Sequence, residues 1–367
     1  MSGVPFARRP PIERNARMKL SMKGSPRRVA CTALLLGVGI AVLGVAAATG
    51  ALQGPPPQKN VAVQKQAAIG SGKGLVIGYA TSLEAVPIVH VISNGIKLQA
   101  KRAGVKLIFC DTGGDSAKAL DCAKSMKTQG AQGVLQFQHV AKASPAICKA
   151  GPQGVPVFAI DIPQPPCQTS FMGVDNAYGG FVAGEKAGET AKAKWNCKYD
   201  AWISLEEPEI GAPNDQRMGG YRKGFQSVCP GPITNLKKYG FDATADKART
   251  IVTDALTTLP GKNRIIVSSI DDEGVEGAFA AAKAAGRPND VYGISLGVAD
   301  KVAKCGIKTN PNWLAATAIA PEKYGWVGIP YMIQAIKTGK LPPKLLYVPL
   351  HAVNSQNIGK FYPNLGC

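Results

Sequence analysis

Histidine is nearly absent from this 367-residue chain. The three present, His90, His139 and His351, fall in unrelated contexts, and no GxSxG, HExxH or triad-like cluster accompanies them. No CxxC or Cys/His spacing suggests zinc. A dinucleotide site would need GxGxxG after the first strand, where this chain reads GYATSLE. GSGKG at Gly70 to Gly74 fails as a phosphate loop: Ala67 and Gly74 replace the required Gly and Ser or Thr, and the segment precedes a strand. Glu206, Glu207 and Glu209 could supply a hydrolytic carboxylate pair but read better as an acidic loop at a cleft edge. The expectation is therefore no enzyme and no cofactor.

Acidic residues are also few, 24 against 43 Lys and Arg, for a formal net charge of +19. The excess is partly local: residues 1–30 hold eight Arg or Lys and one Glu. Beyond them the lysines are mostly single and helix-spaced, without an arginine cluster or interleaved aromatics, which speaks against nucleic acid as a partner. The basic start precedes an uncharged run, Val29 to Leu52, so residues 1–48 read as an export signal or a membrane anchor. Ala46 to Ala48 offer a cleavage site; an uncleaved run would anchor the chain. Arg27 and Arg28 match a twin-arginine signal poorly, and Cys31 opens the apolar run, the wrong place for a lipid-modified cysteine.

Without Cys31, eight cysteines remain, an even number behind an export signal, which points to disulfides. Eight allow 105 pairings. The expected scheme joins closest neighbours: Cys110 with Cys122, Cys148 with Cys167, Cys197 with Cys229, and Cys305 with Cys367.

Residues 49–73, rich in Pro, Gln, Ala, Lys and Gly, read as a tether. From Leu75 the chain alternates apolar strands with helical patterns: LVIGY, VKLIFC, GVLQF and GVPVFAID are strands, with helices between them. After FMGVDN and a Gly- and Ala-rich helix the alternation resumes through AWISLE, RIIVSS and VYGIS. WLAATAIA, a long helix from Tyr324 and a last strand LLYVPL follow. Two α/β lobes, each a parallel sheet flanked by helices, are expected. GVPVFAID ends on Asp161, and ligands of open α/β sheets bind outside the carboxyl ends of strands.

From about Gly74 to Pro343 the chain resembles solute-binding proteins of ABC importers, of the ribose- and galactose-binding class. The resemblance is carried by IGYATS, DTGGDSAKALDCAKSMKTQGAQGVL, GVPVFAID, FMGVDNAYGG, APNDQRMGGYRKGF, RIIVSSIDDEGVEGAFAAAKAAGR and VYGIS in that order. It implies two similar lobes joined by a three-strand hinge, the type I periplasmic binding protein fold, closing around a small solute. Crossings are expected near Gly173 to Asp175, near Ile319 to Pro321 and shortly before Val348. Lobe one is then 74–174 with 321–345, and lobe two 175–320 with 346–367.

The resemblance also implies ligand contacts at Ser82, Asp161, Asn214, Arg217 and Asp271. Phe137 and Ser295 complete the candidate set, with Gln136, Gln138 and Trp202 as further possibilities. A carboxylate accepting from hydroxyls beside a planar arginine donor suits a neutral polyhydroxy ligand. Some positions depart from the pattern: Pro87 is followed by Ile88 and Val89 where aromatics often stack on a sugar, and Ile162, Ser295 and Ala320 replace polar contacts. The expected function is an exported binding protein, monomeric, delivering a sugar or sugar-like solute to importer membrane subunits. The alternatives are a membrane-tethered sensor and a binder of a less polar solute. A repressor of related fold would need a helix-turn-helix where this chain has its export signal.

Overall fold

A computed structural model describes residues 57–367. The export or anchor segment 1–48, its cleavage site and Cys31 lie outside the described residues. Among the described residues no helix is long and apolar enough to cross a membrane.

The chain builds β1 (Val76–Thr81), α1 (Pro87–Ala103), β2 (Lys106–Asp111), α2 (Ser116–Thr128), β3 (Gly133–Gln136), α3 (Ser144–Ala150), β4 (Val157–Ile160) and β5 (Ser170–Gly173). It continues with α4 (Asn176–Trp195), β6 (Ala201–Glu206), α5 (Ala212–Val228), β7 (Leu236–Gly240), α6 (Ala245–Thr257) and β8 (Ile265–Ser269). Then come α7 (Asp272–Ala284), β9 (Val291–Gly297), α8 (Lys301–Thr309), β10 (Trp313–Ala318), α9 (Tyr324–Thr338), β11 (Leu345–Tyr347), β12 (His351–Val353) and α10 (Ile358–Phe361).

Two six-stranded sheets result, ordered β11-β5-β4-β3-β1-β2 and β12-β10-β9-β8-β6-β7. Every pairing is parallel except β10 with β12. The central strands β3, β4, β6 and β8 are buried along their whole length, which is why they read as unbroken apolar runs. The chain passes from one sheet to the other after Gly173, after Ala318 and between Tyr347 and His351. LLYVPL is thus not one strand. Its first half pairs with β5, and the next three residues carry the chain across, so the first sheet extends to Tyr347 rather than ending at 345.

The tether expectation also needs correction from Gln58 onward. Ala62 N donates to Tyr347 O, Tyr347 N to Asn60 O, and Gln58 brackets the crossing by donating to Val348 O and accepting from Leu350 N. Ala62 and Ala67 are buried, and Arg102 Nε donates to Ala67 O. Backbone pairing such as that of Asn60 and Ala62 with Tyr347 leaves no trace in composition.

Two glycine-rich helices fix the second lobe's entrance. α4 packs along α5 so closely that a Cβ on Gly184 would fall 2.1 Å from Tyr221 O, and one on Gly180 2.2 Å from Arg217 O. Only glycine permits that approach. The four disulfides join the closest-neighbour cysteines as expected, with Cα separations of 5.4–5.8 Å, inside the range of unstrained bridges.

Candidate functional site

All strands of the first sheet and all but β12 of the second run parallel, so their carboxyl ends gather on one edge, and the two edges face each other across a cavity. About 100 Å³ of it is open to the centre of a water molecule. At roughly 10–15 Å³ per water so placed, this is room for a solute of on the order of ten heavy atoms. The first lobe contributes Ser82 after β1, Phe137 after β3, and Asp161 and Ile162 after β4. The second contributes Glu207 after β6, Ile270 and Asp271 after β8, Leu296 near the end of β9 and Arg217 from α5. Val174 and Ile319 come from two of the crossings, and Val86, Ile88, Val89 and Ile92 from the start of α1.

Asp161 adopts a left-handed backbone conformation, φ 54°, which an aspartate tolerates better than most residues. Its Oδ1 accepts from Val174 N at 3.0 Å and from Tyr324 OH at 2.9 Å, tying β4 to the first crossing and to α9. Gly173 makes room, since a Cβ there would fall 2.2 Å from Asp161 Oδ1. Burial pushes the Asp161 carboxyl up to about 6, against the hydrogen bonds from Tyr324 and Val174 and the attraction of Arg217.

Arg217 is held from two sides. Nε and Nη2 donate to Asn176 Oδ1 at 3.0 and 2.7 Å, and Nη1 donates to Ile270 O. Asn176 begins α4, so the Gly180 contact that brings α4 onto α5 also sets this fork. Asp271 caps α7, accepting from Gly274 N at 3.0 Å, and burial beside Asp272 raises it to about 6. Glu207 is pushed further, to about 8, first by burial and then by repulsion from Asp271. His139 Nε2 approaches Glu207 Oε1 to 3.2 Å without the alignment of a hydrogen bond, so Oε1 is buried with no donor. Burial holds His139 below its ordinary value.

Five candidates, Ser82, Phe137, Asp161, Arg217 and Asp271, therefore converge on one cavity. Asn214 and Ser295 do not line it. Asn214 is spent on the backbone, accepting from Glu207 N at 2.8 Å, while Ser295 Oγ donates to Asp272 Oδ1 at 2.6 Å and accepts from Trp313 Nε1. Trp202 is a core residue that donates to Ser268 Oγ, and Gln138 bonds Ser144 away from the cleft. Gln136 lines a separate, smaller cavity in the first lobe. Glu207 and His139 were not among the candidates. Glu207's position directly after a buried strand was the available signal, the same one that marked Asp161. Among the described residues no group of three or more His, Cys, Asp or Glu side chains is arranged to hold a metal ion.

Two α/β lobes, three crossings and a polar-edged cavity between facing strand ends define a binding protein of the bilobal, hinged type. The chain belongs to the periplasmic binding protein domain family, which matches residues 77–341. It is 27% identical over 264 residues to the ribose import binding protein RbsB of Bacillus subtilis (strain 168), covering 70% of this chain and 80% of that protein. Among solved structures, a Mycobacterium smegmatis protein in complex with β-D-fucofuranose superposes with a TM-score of 0.67 at 19% identity, covering 79% of this chain and 95% of that one. An ABC transporter solute-binding protein from Bacillus halodurans C-125 with bound myo-inositol gives 0.66 at 16% identity, covering 80% and 98%. The fold is the type I periplasmic binding protein fold, and the family is one of extracytoplasmic binding proteins for ABC transport rather than enzymes.

Proposed function

We propose that the cleft captures a sugar or a solute of sugar size and that the closed protein delivers it to the membrane subunits of an ABC importer, acting as a monomer. The observation that carries this reading is the convergence of Asp161 from one lobe with Arg217 and Asp271 from the other on one enclosed space. A ligand touching all three is held by both lobes, so its binding free energy favours closure. Asp161 and Asp271 accept from hydroxyls, Arg217 donates through its planar fork, and Ser82 and Phe137 border the same space. RbsB, by its name, imports ribose, and the two structural neighbours hold a fucofuranose and an inositol. A less polar solute is favoured by one specific feature: fourteen of the twenty lining residues are apolar, and aliphatic Val86, Ile88, Val89 and Ile92 form the wall.

Thermal unfolding with a panel of pentoses, hexoses, cyclitols and less polar small molecules tests the proposal. A solute at about 100 times its dissociation constant adds roughly 2.7 kcal/mol, a shift of several degrees. Arg217→Met is expected to abolish that shift. No shift with any member of the panel would contradict solute capture.

A further inference from the structure

The cavity's polar end carries more negative than positive charge. Asp161, Asp271 and Glu207 face a single arginine, whose three guanidinium nitrogens already donate to Asn176 and Ile270 O. Glu207 lines the cavity and is 7% exposed, and its buried Oε1 has no aligned hydrogen bond, the nearest nitrogen being His139 Nε2 at 3.2 Å. Once ionised, a buried carboxylate oxygen without an aligned bond has room for a donor brought by a solute. Val89, Ile92 and Ile88 of α1, with Leu296 from the other lobe, line the same cavity as a wall of aliphatic carbon. A fully hydroxylated ring would lay its hydroxyls against that wall with no partners.

Building on the binding-protein reading, the geometry points to a specific class of solute: a compact amine, with its ammonium between Glu207 and Asp271 and a hydrocarbon face against α1. An ammonium gives three donors and one positive charge, which suits a Glu207 carboxylate whose Oε1 makes no hydrogen bond and balances the carboxylate excess. Nine-tenths burial of Glu207 keeps solvent from screening the pair. The charged groups around Glu207 are Asp271, Glu209 and Asp242, which oppose its ionisation, and Arg217, which favours it. Burial lowers His139, across the cleft, from its ordinary value, against the pull of Glu209. With Glu207 raised to about 8, its carboxyl in the ligand-free protein is largely protonated at pH 7. Arrival of an ammonium therefore expels that proton to solvent.

The test uses a matched pair, vicinal trans-aminocyclohexanol and trans-cyclohexanediol, which share size and ring and differ only in ammonium against hydroxyl. Calorimetric titration of the full chain at pH 7 should find the amine tighter by about tenfold or more. Its enthalpy should differ between buffers of unequal ionisation heat, because a proton leaves, while that of the diol should not. In Glu207→Gln the ratio of amine to diol affinity should fall to about one. Proton release by the wild-type chain is read without any variant, so a poorly folding variant leaves the test intact. Diol binding equal to or tighter than amine binding, or amine binding without proton release, overturns this assignment. If myo-inositol or D-ribose binds and the amine does not, the amine assignment falls while solute capture stands. If none of the four binds and the wider panel shifts no unfolding transition, both fall together.

Discussion

Asp161 separates two roles that one carboxylate can play, because its acceptor geometry and its charge pull stability in opposite directions. Its Oδ1 is the partner of two well-buried donors, Val174 N and Tyr324 OH. Asp161→Ala strands both, at about 1–3 kcal/mol for each buried donor left without an acceptor. It also places an alanine at φ 54°, where a Cβ without a polar group is disfavoured. Asp161→Asn keeps the acceptor and suits the left-handed conformation. The charge acts the other way. A carboxyl raised from 3.8 to about 6 is penalised when ionised, by about 3 kcal/mol at most and less where the partly exposed side chain meets solvent. Urea unfolding of the ligand-free protein at pH 5 should then show Asn within about 1 kcal/mol of wild type and Ala lower by about 2–6 kcal/mol. At pH 8 Asn should equal or exceed wild type. Equal losses for Asn and Ala at both pH values would refute the reasoning, since the acceptor could not then be what holds the crossing and α9.

The same sign applies to the cleft acids and to Asp272, buried beside Asp271, as a set. Asp161, Asp271 and Asp272 are raised to about 6 and Glu207 to about 8, so the folded state holds protons more tightly than the unfolded chain. Their contribution is full below their unfolded values near pH 4 and is lost as pH rises through 6 to 8, so the urea midpoint should fall from pH 5 to pH 8.5; a flat or rising midpoint would count against it. Gly184→Ala should cost about 1–3 kcal/mol by forcing α4 off α5, and circular dichroism melting should show it. Replacing Cys305 and Cys367 by serine opens a loop of 62 residues, and replacing Cys110 and Cys122 opens one of 12. On chain entropy the losses are about 4 and about 3 kcal/mol, an order that equilibrium unfolding of the two double variants checks.

Much of the fold was legible because a fully buried parallel strand announces itself as an apolar run, and the residue that ends it announces the cleft. Asp161 was read that way, and Asp271 and Arg217 through the resemblance of their segments; all three line the cavity. Glu207 ends a strand in the same manner, but two neighbouring glutamates made it look like part of a solvated loop. Asn214 and Ser295 were misread for the opposite reason. Each sits at the right height on its element, yet its hydrogen bonds turn inward, to Glu207 N and to Asp272. No spacing rule distinguishes a polar side chain facing a cavity from one facing a neighbouring strand. The segment after Gln58 was hidden because its backbone pairing with Tyr347 needs no particular side chains, and the Gln58 amide reaches Val348, 290 residues away. The glycines of α4 and α5 were visible as composition, while their meaning lay in contacts between two helices, such as Gly180 against Arg217, 37 positions further along the chain.

The central claim is that one solute is gripped by both lobes at the carboxyl ends of their strands. Hydrogen–deuterium exchange, with and without the solute that most raises the unfolding temperature, tests it directly. The account predicts slowed exchange together at residues 82–92 and 161–164 of the first lobe and at 207–217 and 270–274 of the second. Protection confined to one lobe, or lying away from these strand ends, would contradict it.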